Sequence, residues 1–187
     1  KVRYPEMYEA WINRLPASSK NIIAQSVEAT RWYPIMEAVI IPTNVLADVL
    51  KQKPHQIAAE LGRYSAETAL KGVYKVFIMI ASPHFMLKRA TNIFSAYYNP
   101  GDLSVAGSSD NSAILEFSHF SIEHSLMAYR IAGWLEKALE MSKQKNINID
   151  IDLFENQSQD IRMHLKWGNS SNKKASQPVR GLEEIIR

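Results

Sequence analysis

Apolar positions recur along this chain with two different periods, and the change from one to the other is its strongest structural feature. Up to Asn99 they return every three or four residues, the spacing that gathers side chains on one face of a helix. Pro5 to Leu15 reads as a first helix, and Ser18-Ser19 offers N-caps for a second that runs to about Thr30. Trp32-Tyr33-Pro34 interrupts, because a proline disfavours helix at the residue before it. Ile35 to Ile40 resumes the helix, Thr43 caps the next through Lys51, and Pro54 suits the first turn of another carrying Ile57, Ala58, Leu61, Tyr64 and Ala69 on one face. Val73 to Ala81 lacks a polar face and so reads as a buried central helix. Ser82-Pro83 caps the following helix, whose inner stripe is Met86, Ala90, Ile93 and Tyr97, and Asn99-Pro100-Gly101 ends it.

Beyond that point the period becomes two. Leu103 and Val105 alternate with Ser104 and Ala106, Gly107 to Asn111 reads as a turn, and Ala113, Leu115 and Phe117 alternate with Ile114, Glu116 and Ser118, which is a hairpin. A long helix, about Ile122 to Lys143, presents Met127, Ile131, Trp134, Leu135 and Ala138 on one face. A second hairpin sets Ile147, Ile149, Ile151 and Leu153 against Ile161, Met163, Leu165 and Trp167, joined by Glu155 to Asp160. Its other face places Asn148, Asp150 and Asp152 opposite Arg162, His164 and Lys166, a charge pairing that fits a solvent-facing antiparallel surface. The expected fold class is α+β: a helical N-terminal block, then a four-stranded, mainly antiparallel sheet in ββαββ order in the C-terminal half. Residues 1–167 are expected to form a single domain and 168–187 a linker and short tail, in which Leu182 to Arg187 is a short helix or the opening of another unit.

Composition narrows the chemistry mostly by exclusion. The 187 residues suit one core, and at that size no metal or disulfide is needed to hold it. With no cysteine, disulfide frameworks, thiolate metal sites and thiol catalysis are all excluded. The 22 Lys and Arg against 19 Asp and Glu leave +3, too small an imbalance to argue for nucleic acid. No apolar run reaches the roughly 18 residues of a membrane span, so no membrane partner is expected. Lys1 to Glu6 has no apolar core followed by a small-residue cleavage site, which makes the expected location cytoplasmic, although residues upstream of Lys1 could carry a targeting segment or another domain.

The five histidines, His55, His84, His119, His124 and His164, include no HExxH and no pair on one helical turn, so no metal site is expected. His84 reads as a first-turn surface residue and His164 as part of the charged sheet face. No serine sits in G-x-S-x-G, and no Gly-rich turn offers a phosphate cradle. Gly62 interrupts an apolar helix face as a close helix crossing would, with Arg63 reaching to solvent. Aromatic residues are plentiful on the predicted inner faces, where they either fill the core or line an apolar pocket with a few hydroxyls to orient a guest. The candidate pocket lies between the Phe85 to Tyr98 helix and the sheet: Met86, Ile93, Phe94 and Tyr97 facing Leu115 and Phe117, with Tyr74 and Phe77 completing a wall.

Trp32-Tyr33-Pro34, Leu61-Gly62-Arg63, Ser82-Pro83 with the helix to Tyr97-Tyr98, Gly101, the Phe117 strand and Gly133-Trp134 together resemble a bacterial family of unknown function described as myxobacterial paralogues. That family is similar in layout to heme-nitric-oxide-binding domains and to vinyl-reductase-associated small-molecule-binding domains, and the resemblance covers about Ile22 to Trp167. It implies a sensor fold. The heme relatives carry an axial histidine on the helix before a Tyr-Pro-Gly-like turn and a Y-x-S-x-R motif on the propionates. Here the comparable position is near Asn92, no histidine occurs between Phe85 and Pro100, and Tyr64-Ser65-Ala66-Glu67-Thr68 departs from the motif in spacing and place. The expectation is therefore a non-enzymatic sensor or regulatory domain without heme, metal or other cofactor, binding a small apolar ligand or a partner. Two alternatives stay open. One is an interaction scaffold that forms a homodimer or meets a signalling partner; the other is an enzyme using residues such as Arg63, Glu67 and His84.

Overall fold

The computed structural model describes residues 4–25, 28, 31–70, 82–95, 97–99, 101–119, 124–153 and 161–168. The predicted helix Val73 to Ala81, with Tyr74 and Phe77, lies outside the described residues, as do the Glu155 to Asp160 connection and nearly all of the expected linker and tail. A 3-10 turn, Pro5–Met7, leads into α1 (Tyr8–Arg14), and α2 follows at Ala17–Ala24. Ser18 and Ser19 fall inside α2 instead of capping it: Pro16 takes the N-cap position, extended at φ −65° and ψ 158°. Proline supplies there the backbone conformation that a polar cap would otherwise favour.

Met36–Ile40 winds as a π-helix and runs without a break into α3 (Ile41–Leu50). Pro42 explains the widened turn, since a proline inside a helix lacks the N–H and crowds the carbonyl four residues back. Thr43 consequently lies inside a continuous helix and caps nothing; its Oγ1 donates to the Val39 carbonyl at 2.7 Å. Lys51, at φ 53°, closes α3 in the left-handed conformation, and α4 (Pro54–Ala69) begins with proline in its first turn, as predicted. α5 spans Pro83–Phe94 and is capped by Ser82, whose Oγ accepts the Phe85 N–H at 3.2 Å.

The four strands are β1 (Asp102–Ser109), β2 (Ser112–Ser118), β3 (Lys145–Leu153) and β4 (Ile161–Gly168), with α6 (Ser125–Met141) between the two hairpins. They form one antiparallel sheet in the order β1-β2-β4-β3, so the hairpins meet through β2 and β4. Register follows the alternation of the chain. Ile149 pairs with Leu165, Ile151 with Met163 and Leu153 with Ile161, while Asn148, Asp150 and Asp152 lie opposite Lys166, His164 and Arg162 as predicted. The charged face also carries the Arg162–Glu116 pair across β4 and β2 and His164 Nε2 at 3.1 Å from Asp152.

The apolar face of the sheet meets α6 and α5. Leu115, Phe117, Met163 and Leu165 are buried there with Met127, Leu135 and Leu139 of α6 and Leu87 and Phe94 of α5. α6 crosses α4 at glycines on both helices. A Cβ on Gly62 would stand 1.9 Å from the Arg130 carbonyl oxygen, and one on Gly133 would stand 2.0 Å from that of Ala59. Only hydrogen fits at either place, which confirms the close crossing expected at Gly62.

Candidate functional site

Of the positions predicted to line a pocket between α5 and the sheet, Phe94, Leu115 and Phe117 are buried and Met86 is half-buried. Phe94 meets Phe117 edge-on at 5.5 Å and stacks on Tyr98 at 4.7 Å. Leu115 and Phe117 are buried beside them, and Met86 packs against the same cluster from a half-buried position. Tyr97 is 72% exposed and does not join them. Its predicted inward direction assumed that the helix continued to Tyr98, but α5 stops at Phe94 and the next turn closes through the Tyr98 N–H to the Phe94 carbonyl at 3.0 Å. Beyond a helix end the 3.6-residue period no longer says which way a side chain points. Leu87, which the predicted stripe passed over, is buried in its place. The side chain of Ile93, like Tyr74 and Phe77, lies outside the described residues.

Among the described residues, open space lies inside the helical block. A partly open cavity of about 240 Å³ is bounded by Tyr4, Met7, Tyr8 and Trp11 from the first turn and α1, and by Ile23 from α2. Ala38, Val39, Pro42, Thr43 and Leu46 supply the wall formed by the π-helix and α3; Leu61 of α4 and Arg130 of α6 complete it. The wide π turn belongs to this wall, consistent with the frequent placement of such turns at functional sites. Polar ends of the aromatic lining are already engaged: Trp11 Nε1 donates to the Pro42 carbonyl at 2.9 Å, and the Tyr4 hydroxyl donates to Glu60. What these residues offer a guest is ring face and aliphatic surface.

Arg130 is the exception in that lining. It follows Met127 by three residues and precedes Trp134 by four, so helical geometry sets it on the buried stripe of α6. Its guanidinium is enclosed on most sides and reached by solvent only in part. Burial lowers its pKa from the ordinary arginine range, with the Tyr98 phenol opposing the shift. Burial likewise pushes the Tyr98 phenol up to about 12, with the charge of Arg130 acting against it. Among the described residues the polar contact of Arg130 is a 3.4 Å hydrogen bond from Nη2 to Ser65 Oγ. The sequence carried a signal for this site, an arginine on an apolar helix face. The remaining lining comes from segments whose meeting no local pattern records.

Arg63 makes the contrast. Its guanidinium lies 2.7 Å from Glu136 and 2.8 Å from Glu140, so it is held in an ion-pair cluster and does not simply extend to solvent. Burial alone would lower the Arg63 pKa, but the two carboxylates reverse this and raise it. Burial likewise opposes ionisation of Glu140, yet Arg63 and Lys137 hold its carboxyl below the usual range.

None of the cavity-lining residues is a histidine. His84 contacts the Ser109 carbonyl at 2.6 Å and meets Trp167 edge-on, His55 packs at a tilt against Tyr129, and His119 lies 3.2 Å from Asp102. Among the described residues no group of three or more His, Asp or Glu is placed to hold a metal ion. Among the same residues no helix is long and apolar enough to cross a membrane.

The fold itself has solved counterparts. The Fe(II) unliganded H-NOX protein from K. algicida superposes with a TM-score of 0.68 at 11% identity, over 91% of this chain and 90% of that one. The H-NOX protein from S. oneidensis in its Fe(II)NO state gives 0.64 at 13% identity, covering 88% and 89%. An oxygen-binding H-NOX domain related to soluble guanylate cyclases gives 0.59 at 12% identity, covering 92% and 98%. No protein-family model matches the sequence, and no curated protein matches it either. The chain has the H-NOX fold, and at these identities the likeness extends to fold alone.

Proposed function

We propose that this chain is a non-enzymatic sensor or regulatory domain that holds a small, largely apolar ligand in the helical-block cavity and passes its occupancy to a partner protein or a second copy. The observation that carries the reading is the cavity, walled by Trp11, Val39, Leu46 and Leu61, whereas the described residues between α5, α6 and the sheet include a buried core cluster. A well-formed apolar pocket with few polar groups is the usual form of a small-molecule site. The similar solved structures include an oxygen-binding domain and an Fe(II)NO complex, which makes ligand sensing the natural use of such a fold.

The described lining of this cavity gives heme no support. Attachment through an imidazole needs a histidine at the pocket, and none of the described lining residues is one; His84 and His164 are engaged at the sheet, His55 at Tyr129 and His119 at Asp102. A guest bound by shape and surface suits the lining better. The catalytic alternative draws less support, because Arg63 is committed to Glu136 and Glu140 while His84 is held at Ser109 and Trp167. The scaffold alternative has one observation in its favour: Phe85 of α5 is 59% exposed and Val105 of the edge strand β1 is 38% exposed.

Native mass spectrometry of the purified chain tests the proposal. A co-purifying small molecule is expected in the wild type and should be lost when Ala38→Leu fills the cavity. A wild-type chain that flies alone, and whose thermal midpoint no small hydrophobic compound raises, would overturn it.

A further inference from the structure

Resting on the reading of the helical-block cavity as a ligand site, we infer that its guest carries a carboxylate that Arg130 receives, on an apolar body lying along Trp11, Leu46 and Leu61. A guanidinium stays charged at neutral pH, and a charge withdrawn from water without an opposite partner is among the costliest groups a fold can hold. Among the described residues no carboxylate pairs with Arg130, whereas Arg63 has two. The bond to Ser65 is at the long limit for an N–H···O contact, and the Ser65 hydroxyl spends its own proton on the Leu61 carbonyl at 2.8 Å. Tyr98, with a pKa near 12, stays neutral at pH 7 and supplies no countercharge. Most of the five donors in the fork are therefore left for something that enters the cavity.

Geometry narrows the class. The planar fork matches a planar carboxylate with two parallel hydrogen bonds. Among the described residues Arg130 is the one charged residue of the lining, so one negative charge is matched there and a phosphate dianion is not. A dry cavity of about 150 Å³ admits benzene, and drug-sized sites begin near 300 Å³. At about 240 Å³ this one suits a medium-length alkyl or small aryl carboxylate.

Calorimetric titration of the full chain with octanoate and with octan-1-ol separates head from tail. Octanoate is expected to bind the wild type at least tenfold more tightly, and Arg130→Met to lose that margin while keeping octan-1-ol affinity. Octan-1-ol binding the wild type as well as octanoate does would overturn the carboxylate inference and leave the apolar site standing. Failure of both probes to bind would also overturn it, and the native mass spectrum then decides the pocket reading separately. Should Arg130→Met fail to fold, the wild type still answers: octanoate affinity must weaken as acid protonates the carboxylate while that of octan-1-ol holds. An octanoate affinity that does not change with pH would sink the inference.

Discussion

Helix α6 shows two kinds of contact along its length. At Gly133, and opposite Gly62, it approaches α4 so closely that backbone carbonyls stand where a Cβ would be. At Arg130 it borders the cavity walled by α1, α2 and α3. The first contact is fixed by what is missing, since glycine removes the only atoms that would hold the helices apart. The second holds a charged group where packing residues would close the space. Close packing is the ordinary condition of an interior, so open space beside a buried charge marks the part of the molecule not optimised for stability alone.

The largest expected effect tests the packed side. Phe117→Ala should cost about 3 to 5 kcal/mol in urea unfolding, as large-to-small core changes do, and Phe94→Ala should fall in the same range because the two rings meet. Leu61→Ala, at the wall of an existing cavity, should cost less than about 2 kcal/mol, below the core range. Equal losses at Leu61 and Phe117 would erase the distinction between the two regions. Next comes Gly133→Ala: its methyl meets backbone that no rotamer change can move, so a loss of about 1 to 3 kcal/mol is expected.

Arg130→Met should act in the opposite direction. Without ligand it removes an unpaired charge and adds apolar surface, so thermal stability should hold or rise by about 1 kcal/mol. A clear loss of stability would mean that the arginine is structural. The smallest effect belongs to Arg63→Gln, about 0.2 to 1 kcal/mol, since its pairs are about a third exposed and screened. The folded-state pKa of Glu140 is depressed, so its contribution is present above the unfolded value near 4.3 and is lost as pH falls through the lower folded value. Stability measured across that range should fall less steeply in Arg63→Gln than in the wild type.

Much of the fold was legible wherever neighbours in sequence decide it. The two hairpins, the register that sets Asp150 against His164, the Ser82 cap and the close approach at Gly62 all follow from period, turn chemistry or an absent side chain. Errors arose where local rules were carried past their limits. Thr43 has the chemistry of a cap, yet the backbone before it stays helical through a π turn. Tyr97 has the spacing of a core residue, yet the helix has already ended. Aromatic type alone does not place a residue inside either, since Trp32 and Phe85 are 57% and 59% exposed.

The sequence by itself determined the division into a helical half and a stranded half, which residues of the second hairpin face inward and which carry its charged surface. Those are consequences of backbone periodicity, which each segment expresses alone. The junction of β2 with β4, the crossing partner of Gly62 and the cavity were decided by tertiary structure. Tyr4 and Arg130 lie far apart along the chain and share a wall only because α4 and α6 pack at their glycines while the turn before α3 widens at Pro42. A void is the space left over when several helices meet, and no single helix carries a pattern that encodes it.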